Sequence, residues 1–107
     1  MSKGFGLDAI MQQAQQLQER LGHMQEEVAG KTVEASAGGG MVTVVISGRL
    51  ELLSLRIDPE VLKSGDAEML QDLIIAAVNQ GIRNAQAMVA EEMRKVTGGL
   101  KIPGLTA

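Results

Sequence analysis

The chain has 107 residues, of which 10 are basic and 13 acidic, giving a net charge of −3 with its one histidine neutral. It contains no cysteine, which excludes disulfides, thiolate catalysis and cysteine-held zinc or iron–sulfur sites. Phe5 is the single aromatic residue, so a base-stacking grip on single-stranded nucleic acid is excluded, and no apolar run of about 18 residues is present to span a membrane.

Residues 1–6 are Gly-rich and read as a flexible tail. The chain turns polar by Asp8 and Gln12, so no secretory signal is expected and a cytoplasmic location is. From Leu7 the spacing predicts a first helix running to Val28. Leu7, Ile10, Ala14, Leu17, Leu21, Met24 and Val28 form an apolar seam at alternating three- and four-residue steps. Glutamines crowd its outer face, among them Gln12 and Gln16, with Arg20 nearby. The seam is narrow and needs something to lie against; the expectation is that it packs along the second long helix. Gly30 is placed to stop the first helix.

Three strands are predicted next. Thr32–Ser36 is the first, and the Gly38-Gly39-Gly40 run supplies a turn. Met41–Ser47 alternates, with Val42, Val44 and Ile46 on one face. Ser47-Gly48 reads as a tight turn into a third strand, Arg49–Ile57. The apolar phase of that strand shifts between Leu52 and Leu53, which predicts a β-bulge there. Asp58-Pro59 ends it. A second long helix is expected from a cap at Asp66 or Ser64 to about Val96, apolar nearly all round in its first half, with residues 99–107 a second flexible tail.

The predicted order is α–β–β–β–α, an α+β fold in which two long terminal helices surround a small antiparallel three-stranded sheet, all in a single domain covering 1–107. At 1.5 Å per residue the second helix would run roughly 45 Å, far more than the ~13 Å radius of gyration of a compact domain this size. That excess, and the two open edges of a three-stranded sheet, predict a homodimer.

Candidate chemistry is sparse. The glycine run has no Gly-Lys-Ser/Thr after it and opens no helix, so it is a turn and not a phosphate loop. His23 sits at an outward helix position and reads as a solvated surface residue. Asp58 and Glu60 flank Pro59 and are explained by turn and helix-start chemistry. No serine has a nucleophile-elbow context. These readings predict no enzyme, no cofactor, no metal, no small-molecule substrate and no membrane partner. The C-terminal quarter is the one basic region, with Arg83, Arg94, Lys95 and Lys101 against Glu91 and Glu92. Arg83 and Arg94 are about three helical turns apart and share a face. They read either as a solvated face or as a phosphate-contacting strip.

Three segments in order carry a family resemblance: MQQAQQLQERLGHMQEEVAGKTVEASAGGGMVTVVISG, then LRIDPEVL, then LIIAAVNQGIRNAQAMVAEEMRKVTGGLKIPG. Together they resemble the YbaB/EbfC family of bacterial nucleoid-associated proteins, from about Leu7 to Gly104. The resemblance implies a tweezer-like homodimer that binds double-stranded DNA with little sequence preference in the nucleoid and affects its organisation and gene expression. It associates DNA contact with the two terminal helices, which points to Arg20, Arg83, Arg94, Lys95, Gln12 and Gln16. The acidic balance supports a rival reading, a protein-interaction adaptor for replication or recombination factors without direct DNA contact.

Overall fold

A computed structural model describes residues 2–98, with side chains over 6–95. Six elements follow one another: α1 (Ser2–Gly30), β1 (Thr32–Ala37), β2 (Val42–Ser47), β3 (Leu52–Ile57), α2 (Pro59–Ser64) and α3 (Ala67–Gly98). The strands form one antiparallel sheet in the order β1-β2-β3. The predicted α+β architecture is therefore the observed one.

The core lies between α3 and the sheet. Val42, Val44 and Ile46 are the largest fully buried side chains, and Ala35, Ala77 and Ala85 close around them. The alternation of β2 sends these three residues to one face. On α3, Ala77, Gly81 and Ala85 recur every four residues and line the contacting side. Their small size lets the helix backbone approach the sheet.

The helix covers β1 and β2 and leaves β3 exposed except at Ile57. Leu55 faces Val44 and Leu52 faces Ile46 across the ladder, so both project to the helix side of the sheet. They nevertheless remain 41% and 48% exposed. Between these pairs the register shifts, leaving Leu53 as the extra residue of a bulge, as the phase change in the sequence predicts.

Several expectations are corrected. Helix α1 starts at Ser2, inside the stretch read as a tail, and the second predicted tail, 99–107, lies outside the described residues. The third strand begins at Leu52 and not at Arg49, because Arg49, Leu50 and Glu51 belong to the turn after Ser47. The buried Ser47 hydroxyl accepts from the Arg49 and Glu51 amides and holds that turn. Leu50 sits in it at φ +63°, the one non-glycine residue with positive φ among the described residues.

A short helix, α2, also intervenes where only a strand end was expected. Asp58 caps it by accepting from Glu60 N at 2.9 Å, Pro59 takes the first helical position, and Gly65 closes it at φ +71°. Asp66 then caps α3 through Met69 N.

The apolar seam of α1 does not lie along α3 over its length. Met24 and Val28 are buried and Leu21 is half-buried, but Leu7, Ile10 and Leu17 are exposed. The physical reason is direction. Only the last turns of α1 meet α3, beside Val89 and Met93, and from there α1 runs out past the sheet. The described shape is correspondingly long, 79 × 28 × 16 Å. The first half of α3 is not buried all round either: Ile75 is 58% exposed, on a side of α3 that none of the described elements covers.

Candidate nucleic-acid interface

Polar side chains on α3 form a connected ladder beside β1. Arg83 Nη2 donates to Gln80 Oε1 at 2.9 Å, Gln80 Nε2 donates to Asn84 Oδ1 at 2.9 Å, and Asn84 Nδ2 donates to the Glu34 carbonyl of β1 at 3.3 Å. The chain of bonds ties the Arg83 guanidinium, through two amides, to the backbone of the sheet. An arginine has five N–H donors, so this single bond leaves most of its fork for a ligand. Three turns on, Arg94 Nη1 pairs with Glu91 at 3.0 Å on the exposed surface. The helix therefore presents Arg83 and Arg94 on one face, at the spacing the sequence predicts.

Lys95 behaves differently. It turns to Glu92, 3.3 Å away, and shares that carboxylate with Lys31, which the sequence reading did not select. Lys31 is the one residue between α1 and β1. Its approach to Glu92, at 2.5 Å, spans 61 positions in sequence, so no local spacing signals it. The Lys31 hydrogen bond is the main reason the Glu92 carboxyl is held below its ordinary pKa; partial burial opposes the shift and Lys95 adds to it.

The remaining predicted residues stand apart. Arg20, Gln12 and Gln16 are exposed on the projecting part of α1, where Gln16 and Arg20 flank the shallow apolar surface of Ile10, Ala14 and Leu17. The fold brings Arg83, Arg94 and Lys95 onto one helix but leaves the α1 residues on a separate arm. Two further cations, Arg49 in the β2–β3 turn and Arg56 on β3, are exposed and were missed. Arg49 rims an apolar cleft of about 680 Å³ between the end of α1 and α3, lined by Met24, Val28, Val89 and Met93.

The profile of the YbaB/EbfC DNA-binding family matches residues 3–100. The chain belongs to that family. It is 59% identical to a nucleoid-associated protein of Syntrophobacter fumaroxidans, covering 98% of this chain and 93% of that one. A nucleoid-associated protein of Thermoanaerobacter pseudethanolicus is 57% identical, with 95% and 92% covered. Among solved structures, the uncharacterized protein HP0035 of Helicobacter pylori superposes with a TM-score of 0.66 at 23% identity, covering 85% of this chain and 91% of that one, a likeness of fold. Among the described residues no helix is long and apolar enough to cross a membrane.

Proposed function

We propose that this protein is a nucleoid-associated homodimer that binds double-stranded DNA with little sequence preference. The family match and the anchored cation–amide ladder of Gln80, Arg83 and Asn84 support the DNA reading. Arginine and amide groups at this spacing meet phosphates, and phosphate contacts fix orientation without reading sequence. Arg20, Gln12 and Gln16 on α1 and Lys95 on α3 extend the contact surface along both terminal helices. The protein acts by position, straddling the duplex and shaping nucleoid DNA, with effects on gene expression following from occupancy.

Pairing of two copies is supported by β3. It is an edge strand whose backbone pairs on one side only, and Leu52, Leu53 and Leu55 are exposed along it. Ile75 adds to the uncovered apolar surface. An open, apolar edge is an aggregation site unless it is covered. An antiparallel β3–β3 contact across a two-fold axis makes one six-stranded sheet and buries these leucines under the partner's helices.

A dimer carrying twice the −3 of one chain repels DNA at long range, so affinity is moderate and the salt dependence shallow. Gel-shift titration of duplex DNA at low salt tests the reading, and the absence of a shift at tens of micromolar protein sinks it. In Arg83→Glu with Arg94→Glu, binding falls at least tenfold while the dimer stays folded. Unchanged affinity in that variant removes α3 from the interface.

A further inference from the structure

Two ammonium groups converge on one oxygen at the base of the α1 arm. Lys31 Nζ lies 2.5 Å and Lys95 Nζ 3.3 Å from the same Glu92 Oε1. The Lys95 contact is the ordinary i,i+3 meeting of neighbours on a helix. The Lys31 contact is tertiary: it exists because the joint between α1 and β1 passes over α3 at Glu92.

The exposures of the three side chains separate their roles. Glu92 is 17% exposed, whereas Lys31 and Lys95 are 45% and 63% exposed. The carboxylate belongs to the least exposed of the three side chains, and both lysines keep about half of their side-chain surface open to solvent. One negative charge against two positive ones leaves the cluster net positive in an otherwise acidic chain. Neighbouring Glu91 pairs with Arg94 and so does not reduce that excess. Two ammonium groups gathered on one oxygen is also the geometry in which lysines hold a phosphate oxygen.

We propose that Lys31 and Lys95 form a contact point for a DNA backbone phosphate at the root of the α1 arm, and that Glu92 occupies its oxyanion position from within. The proposal rests on the DNA-binding reading. Glu92 has two effects. It holds both lysines in the converged arrangement, and it lowers the number of counterions they gather and can release when DNA arrives. The contact point is thereby pre-shaped but attenuated. This sets the affinity of the protein below what its lysines would otherwise give, and it assigns Lys31, remote from the other basic residues in sequence, to the interface.

The test is the salt dependence of duplex binding, compared among the full-length protein, Glu92→Gln, and Glu92→Gln combined with Lys31→Ala and Lys95→Ala. Each phosphate neutralised adds about 0.9 to the slope of log K against log salt concentration. Glu92→Gln is expected to steepen the slope by about 1 to 2 units and to raise low-salt affinity several-fold. The triple variant is expected to fall below the slope of the unmodified protein, because it loses the attenuated contact of Lys31 and Lys95 together with the gain from Glu92→Gln.

An unchanged slope in Glu92→Gln, or an increase that survives loss of both lysines, overturns the proposal while duplex binding itself stands. Absence of duplex binding by the unmodified protein overturns the DNA reading and this assignment with it. Titration with inorganic phosphate at constant ionic strength, followed through the lysine side-chain NMR signals, distinguishes the source of the anion. Saturation of Lys31 and Lys95 by free phosphate in the micromolar range overturns the DNA-backbone assignment.

Discussion

Gly81 of α3 and Ile46 of β2 touch so closely that a β-carbon built on the glycine would stand 2.6 Å from Ile46 Cδ1. It would also meet Val44 Cγ2 at 3.0 Å. Both neighbours are fully buried, so neither has room to turn away. Gly81→Val is therefore expected to cost about 2 kcal/mol or more through overpacking. Gly22 offers the contrast. It lies within α1 with nothing inside 4 Å of its would-be β-carbon, and Gly22→Ala should gain about 0.5–1 kcal/mol from helix propensity. Urea denaturation of both variants checks the pair; equal effects would mean that α3 does not lie this close to the sheet.

Leu50 holds a left-handed backbone at φ +63° with its side chain 45% exposed. The strain of a left-handed L-residue is about 1–2 kcal/mol, and glycine removes it at a cost of about 0.5–1 kcal/mol in unfolded-chain entropy. Leu50→Gly should then be neutral to stabilising by about 0.5 kcal/mol, measured by chemical denaturation. A clear loss of stability would show that the Leu50 side chain packs against something outside the single chain.

The Glu92 ion pairs make stability depend on acidity. The carboxyl is held below its usual value of 4.5, first by the Lys31 hydrogen bond. A group whose folded pKa is depressed contributes stability above its unfolded pKa and loses it as pH falls through the folded value. The difference in melting temperature between the unmodified protein and Glu92→Gln should be fullest at neutral pH. It should shrink as pH is lowered below 4.5. High salt should shrink it too, since both lysines are well exposed. Thermal melts from pH 7 to 3 read this directly, and a difference that is flat with pH removes the ion pairs as its cause.

On the proposed pairing, Leu52→Glu with Leu55→Glu places two like charges along each β3 edge, directly opposed across the two-fold axis. The charges should split the dimer into monomers in sedimentation equilibrium at micromolar concentration. Circular dichroism should stay near that of the unmodified protein, because both leucines are exposed within one chain. Persistence of the dimer would place its interface elsewhere.

Periodicity made some of this legible in advance and left the rest out of reach. The alternation of Val42, Val44 and Ile46 located the core strand, and the phase change at Leu52–Leu53 located the bulge, because both are properties of consecutive residues. The Arg83 and Arg94 face followed from helical spacing in the same way. The seam of α1 misled in one respect: a pattern shows that a side is apolar but not where along its length it is covered, and among the described residues only the part from Leu21 onward is buried or half-buried. Helix α2 was hidden because Asp58-Pro59 ends a strand and begins a helix with the same two residues. Lys31 and Glu92 were invisible for a simpler reason, that nothing local joins positions 61 apart.

A single residue, Lys31, separates α1 from β1. Such a short joint ties the direction of the arm to the packing of Met24 and Val28 and to the Lys31–Glu92 pair, which together would act as the fulcrum of any tilt. The part of α1 before Leu21 is about 30 Å long at 1.5 Å per residue, and a tilt of about 10° at the fulcrum swings its tip by about 5 Å. On the proposed DNA reading, a small change of packing at the root is thus magnified severalfold in the reach of the tip.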